Sequence, residues 1–169
     1  MVVTVRETCR GDGVGCARAW LDAGRHVHEI DPAVGRVPDA DGLAEWFERT
    51  ITEDRADDER CLVAEADGQV VGFVAATVEA ARTDAPWQIQ RDLATRRLLI
   101  EALAVREGHR RGGAGAALMR AIEAWGRERG ASVALTDTNL RSHLSLPFYE
   151  HGMGYGRRGV VLRKGLRTP

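Results

Sequence analysis

With 169 residues, the chain is long enough for one well-packed domain and short for two. Its 24 basic and 25 acidic residues give no global pull toward nucleic acid or an anionic membrane. No apolar run approaches the roughly 20 residues of a membrane span. Met1-Val2-Val3-Thr4-Val5-Arg6-Glu7 lacks the regions of a signal peptide. Cys9, Cys16 and Cys61 are odd in number and match no zinc spacing. They read as reduced thiols in a cytoplasm, with a catalytic cysteine as the alternative. The expectation is one domain over residues 1–169, cytoplasmic, with no metal, nucleic acid or membrane partner.

In chain order, Val2 to Arg6 alternates apolar and polar and predicts a short strand. Asp12 to Gly24 predicts a helix with Val14, Ala17, Trp20 and Leu21 on one stripe and Gly24 as its stop. His26 to Pro38 reads as irregular. Asp39 or Asp41 then caps a second helix carrying Leu43, Trp46, Phe47 and Ile51. Glu53 to Arg60 is a charged loop. Cys61 to Ala66 and Val70 to Val78 flank Asp67-Gly68-Gln69, a hairpin signal. Ala80 to Thr95 is polar, contains Pro86, and reads as an excursion on the substrate side.

The chain is organised around Arg96 to Gly130. Leu98 to Val105 is apolar except for Glu101, and a basic, glycine-rich turn then leads into a helix with Leu118, Ile122 and Trp125 inward. That helix pairs Glu123 with Arg127 and ends at Gly130. Ala131 to Thr136 predicts a strand, Ser142 to His151 a short helix interrupted by Pro147, and Val160 to Leu162 a last strand.

Strand, glycine turn and helix together make an anion site. N–H groups of the turn and first helical turn lack intrahelical partners, and the helix dipole adds positive charge there. Gly112, Gly113 and Gly115 leave that backbone uncovered, and Arg110 and Arg111 charge the rim, so the stretch reads as a pyrophosphate cradle. It is no Walker A loop, because Ala116 and Ala117 follow Gly115. A dinucleotide fingerprint would need Gly or Ala at Leu118, although Asp137 stands about 20 residues on, as that alternative requires. A plain chain-reversing turn is the third reading.

Arg110-x-x-Gly113-x-Gly115 resembles the Arg/Gln-x-x-Gly-x-Gly/Ala signature of the GNAT acetyltransferases, which bind the pyrophosphate of coenzyme A there. Leu103-Ala104-Val105 looks like their fourth strand, and Pro147-Phe148-Tyr149-Glu150 with Gly154-Tyr155 like their Phe-Tyr-Glu-x-x-Gly-Phe segment. The segment departs in two ways: three residues, His151-Gly152-Met153, stand where the family usually has two, and Ser142 replaces an asparagine. The resemblance covers roughly residues 60 to 165. It implies an α/β (α+β) fold with a mixed, mostly antiparallel sheet, helices on both faces and the order β-α-α-β-β-β-α-β-α-β.

The resemblance also implies direct acetyl transfer from acetyl-coenzyme A to an amine. Backbone groups of Leu103, Ala104 and Val105 would contact thioester and pantetheine, and amides of Arg110, Arg111, Gly112, Gly113, Ala114 and Gly115 the pyrophosphate. Tyr149 would protonate the leaving thiolate; as a bare aromatic it would be core. Glu101, placed by the two-residue period on the face of Leu103 and Val105, is a base or amine-binding group, as in the similar Leu-Glu-x-x-x-Val strand of aminoglycoside 6′-N-acetyltransferases. An ion pair with Arg96 or Arg97, or a solvent-facing edge, is its alternative. Asp137, between Thr136 and Thr138, resembles those enzymes' Ser-Asp-Thr and would bind a cationic substrate, with a cap or turn role as the alternative. Trp87 and Trp46 line an acceptor pocket or simply pack. His109 borders the phosphates, while His26, His28, His143 and His151 show no ligand spacing and read as surface residues.

The leading acceptor is a small-molecule amine, aminoglycosides among the options. A protein or peptide amine, or a non-catalytic acyl-coenzyme A sensor, is the alternative. A homodimer is compatible with the resemblance, though the sequence singles out no interface.

Overall fold

The computed structural model describes residues 2–53 and 56–166. Five strands form one sheet in the order β1-β2-β3-β4-β5: Thr4–Glu7, Glu59–Ala66, Gln69–Glu79, Arg97–Val105 and Val133–Leu135. The first three pairings are antiparallel and β4–β5 is parallel, as a helical crossover between neighbouring strands requires. Asp67 and Gly68 close the β2–β3 hairpin with φ of 49° and 73°, so the Asp-Gly signal holds.

One face of the sheet is covered by α1 (Gly13–Ile30) and α2 (Leu43–Thr52), through Cys16, Ala17, Ala19 and Phe47 on Val63, Phe73 and Ala104. The other carries α3 (Ala114–Glu128), whose Leu118, Met119 and Ile122 are fully buried against Val74, Leu98 and Ile100. Each such side chain contributes about 1.5–3 kcal/mol relative to an exposed one. Gly126 lets α3 approach β4 closely: a Cβ there would stand 2.8 Å from Leu98 Cδ2. Gly130 ends the helix at φ 81°, with the Ala131 N–H donating to the Gly126 carbonyl.

Several expectations are corrected. α1 runs through His26 to Ile30, so His26 to Pro38 is not wholly irregular. Gly24 does not stop the helix; a Cβ there would meet Pro38 Cδ at 2.3 Å, so it admits the returning chain. Neither Asp39 nor Asp41 caps α2: the cap is Gly42 at φ 72°, and the Asp39 carboxylate accepts the Asp41 N–H. In the charged loop, residues 54 and 55 lie outside the described ones, and Glu59 and Arg60 already belong to β2. Glu123 turns from Arg127 to accept the Tyr155 hydroxyl at 2.9 Å.

The C-terminal region differs most. Ser142 to His151 resolves into one helical turn, α4 (Ser145–Pro147), and a π turn (Phe148–Gly152). Val160 to Leu162 is not a strand; its side chains are exposed and unpaired with the sheet, so the order ends without the expected last strand. Ala80 to Thr95 is an excursion built on two short 3₁₀ turns, Ala85–Trp87 and Arg91–Ala94.

Candidate functional site

β5 leaves β4 after three residue pairs. Their pairing covers only Arg97–Leu99 against Val133–Leu135, so, among the described residues, residues 100–105 of β4 have no neighbouring strand on that side. The backbone of Leu103, Ala104 and Val105 therefore presents an open edge, while Ala104 packs against the α1 face and Leu103 and Val105 against the α3 face.

Beyond Val105 the chain makes a 3₁₀ turn, Glu107–His109, and then the glycine loop. Arg111 at φ 61° and Gly113 at φ 87° wind the loop into the first turn of α3. Among the described residues, the N–H groups of residues 111–116 have no acceptor. A Cβ on Gly113 would meet nothing within 4 Å, and one on Gly115 would lie 3.5 Å from Phe148 and 3.6 Å from Val105 Cγ2. Packing within the protein leaves this backbone uncovered, and Arg111 is exposed beside it. Free donors, helix dipole and charge fit a pyrophosphate.

Arg110 departs from its expected place on the rim. Its guanidinium donates inward, to the Val105 carbonyl at 3.2 Å and the Asp22 carbonyl of α1 at 3.0 Å. The Asp22 carboxylate accepts the Glu107 N–H at 2.9 Å, so one α1 residue clamps both ends of the turn. His109 is half-buried beside the loop, with an Nδ1 that has no partner.

Tyr149 is buried on the α3 face, ringed by Phe148 and Tyr155. Burial pushes its phenol above the ordinary value; the Thr136 side chain, hydrogen-bonded to it, pulls the other way, and the nearby Asp137 charge adds to the rise. The structure thus brings together Tyr149, Thr136 and exposed Asp137 at the end of β5. The extra residue of His151-Gly152-Met153 is absorbed by the π turn, where the Met153 N–H donates to the Phe148 carbonyl at 3.0 Å. Ser142 is buried, and its hydroxyl accepts the N–H of Ser145, the first residue of the short helix, at 3.0 Å.

Glu101 is not on the face of Leu103 and Val105. Ala75 pairs with Ala102 and Ala76 with Ile100, so Glu101 is the extra residue of a β-bulge, and the two-residue alternation breaks there. Its exposed carboxylate accepts the Thr77 hydroxyl at 2.6 Å on the α1 side. Arg97 pairs with Glu79 instead. Glu101 and Tyr149 consequently lie on opposite faces, flanking the open edge of β4. Trp87 is 82% exposed on the excursion, and Trp46 stacks edge-on against Phe47 at 4.8 Å, so neither lines an enclosed pocket.

Sequence reasoning did not single out Thr136 beside Tyr149, the inward turn of Arg110, or the contact between His26 and Ser142. Only the Thr136-Asp137-Thr138 cluster hinted at the first. The other two join residues 88 and 116 positions apart and leave no local signal.

This geometry, a strand edge that opens beside an unpartnered helix N-terminus, suits an extended ligand with an anionic group. The model of the acetyltransferase (GNAT) family matches residues 26–155, and the chain belongs to that family. No curated protein matches the sequence significantly. Among solved structures, a mutant of BH1408 protein from Bacillus halodurans is similar over 97% of this chain and 99% of its own, at 17% identity and a TM-score of 0.80. AAC(6′)-Iy in complex with a bisubstrate analog, CoA-S-monomethyl-acetylneamine, is similar over 99% and 100% at 18% identity and a TM-score of 0.64. An aminoglycoside acetyltransferase, meta-AAC0020, from an uncultured soil metagenomic sample in complex with sisomicin, is similar over 98% and 97% at 16% identity and a TM-score of 0.62.

Proposed function

We propose that the chain transfers acetyl from acetyl-coenzyme A directly to a primary amine of a small, cationic molecule, aminoglycosides being one class to test. The observation that carries this is the row of unpartnered N–H groups at residues 111–116, continuous with the open edge of β4. Bound there, acetyl-coenzyme A would supply an acetyl thioester. Residues 111–116 hold its pyrophosphate, and the backbone of Leu103 to Val105 orients the pantetheine and thioester. The amine approaches from the α1 side, where Glu101 attracts a cation and takes the proton the amine loses, through water. Its nitrogen bonds the acetyl carbon as the carbon–sulfur bond breaks. On the opposite face Tyr149 gives the departing sulfur a proton, and Asp137 adds negative charge at the mouth of the cleft.

Trp87 at 82% and Ile89 at 101% exposure favour a second reading, in which the excursion receives a peptide or protein amine. Retention of Tyr149 supports catalysis over acyl-coenzyme A sensing alone. Incubation with acetyl-coenzyme A and a panel of aminoglycosides, polyamines, amino acids and short peptides, followed by thiol release, tests the proposal. Turnover of small cationic amines is the expected outcome. Turnover of peptides alone would replace the acceptor, and absence of coenzyme A binding would overturn the reading.

A further inference from the structure

β5 ends the sheet on one side, and its outer edge is open. The Ser132 N–H donates to the Arg96 carbonyl, so by alternation Ser132 and Ala134 face β4, and Val133 and Leu135 direct their N–H and C=O groups away from it. Among the described residues, no backbone group meets them there. Both residues are half-buried, and an open strand edge is a template for pairing.

The same chain carries a strand-forming segment that pairs with none of the described strands. Val160, Val161, Leu162 and Leu166 are 67%, 88%, 90% and 86% exposed, an apolar exposure that marks an interaction surface. The chain's own β5 is out of register for it. Tyr155 packs on Tyr149, the neighbour of Thr136 at the C-terminal end of β5, with ring centroids 5.6 Å apart. Three residues later Arg158 donates to Gln90 at 3.1 Å and pairs with Asp92 at 3.4 Å. Those two residues lie on the excursion that leads into β4, whose Arg97 stands opposite Val133 at the start of β5. Three extended residues span about 10 Å, the length of a three-residue strand such as β5. The residues level with β5 are therefore Gly156, Arg157 and Arg158, and their arginines are engaged by Glu150 and Asp92. Val160 to Leu162 come after its end.

We propose that the chain forms a two-fold dimer by strand exchange, residues 160–162 of each copy adding to the outer edge of β5 in the other. Charge selects this edge over pairing of the two segments with each other. An antiparallel pair centred on Val161 would set Arg158 opposite Lys164, like charge against like charge. The edge of β5, Val133-Ala134-Leu135, carries no charge. The excursion held by Arg158 adds two further exposed apolar side chains, Trp87 and Ile89. Covering all six removes on the order of 700 Å² per copy from water, close to the roughly 800 Å² per partner of a standard interface. Because each copy gives one segment and receives one, the assembly closes at two copies. The exchange rests on the fold and needs neither coenzyme A nor an acceptor.

Sedimentation of the full, ligand-free chain tests this. The wild type is expected at twice the 18.5 kDa chain mass, and Val161→Asp at the mass of one chain. The dissociation constant should rise at least about 100-fold, because the exchanged strand would bury an unpaired carboxylate. Val161 is exposed in the single chain, so the variant should keep the circular dichroism of folded protein. A second measurement mixes Leu135→Cys chains with Val160→Cys, Val161→Cys or Leu162→Cys chains, all in a Cys9→Ser background, under mild oxidation. Strands in register place opposed residues at disulfide distance, so one of the three mixtures should cross-link between copies. A wild type that stays monomeric at roughly 100 μM, in the range where a weak specific dimer forms, overturns the proposal. So does a dimer untouched by Val161→Asp, or a disulfide that forms only when both cysteines stand in one chain. A dimer that behaves as expected but acetylates no amine would count against the proposed function and leave the exchange standing.

Discussion

Residues 110–116 and residues 136–155, the two halves of the proposed site, are shaped by different means. In the first, conformation comes mainly from the chain's own backbone: Arg111 and Gly113 take positive φ, and a helix begins at Ala114. A single α1 residue, Asp22, clamps it from outside. In the second there is little regular structure. Its position depends on side chains 116 and 108 residues away, His26 on Ser142 and Asp31 on Asn139. A site made of backbone N–H groups should tolerate exchange of most neighbouring side chains and fail when charge or bulk covers the amides. A site made of side chains should fail residue by residue, each failure with its own kinetic signature.

The sharpest way to break this contrast is Gly113→Asp. Aspartate is among the residues that visit the left-handed region, so the fold should lose only about 1 kcal/mol. A carboxylate at the head of α3, however, would meet the pyrophosphate directly. Coenzyme A affinity, measured by calorimetry, should fall at least about 100-fold, near 2.7 kcal/mol. Unchanged affinity would mean the unpartnered amides are not where the anion sits.

Tyr149→Phe should lower kcat about 100-fold, the lower range for one general acid, with KM for acetyl-coenzyme A within about threefold of wild type. The pH dependence follows from the sign of the shift. Burial raises the phenol above its ordinary value of 10, so the proton-donating form persists through that pH. Loss of rate from Tyr149 ionisation should appear only above it and disappear in the variant. Equal loss of binding and rate would instead make Tyr149 a packing residue. Glu101→Gln should act less strongly, lowering kcat/KM for cationic amines about tenfold and for weakly basic amines by less. A uniform loss across acceptors would leave Glu101 a base without a role in recognising charge.

The same contrast explains what the sequence made legible. The hairpin at Asp67-Gly68, the stripe of Leu118, Ile122 and Trp125, the stop at Gly130 and the anion-ready loop are all encoded by residues close in sequence. The resemblance to the family rests on these stretches and on the Phe148-Tyr149-Glu150 segment. Glu101 was visible as an oddity inside an apolar run, but its face was not, because the bulge opposite Ala75 and Ala76 breaks the alternation from which the face was read. The last strand failed because Val160 to Leu162, though strand-forming in residue type, stays exposed and pairs with none of the described strands. Gly24 looked like a stop because a helix signal cannot reveal that Pro38 will fold back onto it. At Glu101 and Gly24 a long-range contact overrode a sound local rule; at Val160 to Leu162 a sound local rule found no long-range partner.

The smallest expected effect separates the two glycines of the loop. At Gly115 the backbone is ordinary helix, and a methyl group would make normal contacts with Phe148 and Val105. Gly115→Ala should therefore stabilise the fold, by up to about 1 kcal/mol from helix propensity. A rise in Tm of roughly 2–4 °C should report it. Coenzyme A affinity should stay within about threefold, in keeping with a signature that accepts glycine or alanine there. The same methyl at Gly113, where φ is 87°, should have the opposite sign and cost about 1 kcal/mol. Calorimetry and thermal melts on the two alanine variants check the pair. Opposite signs in stability with affinity preserved at Gly115 would show that the loop uses Gly113 for its turn and only the backbone at Gly115. A tenfold loss of affinity in Gly115→Ala would move the anion deeper, against the second residue of the helix, and make both glycines part of the contact surface.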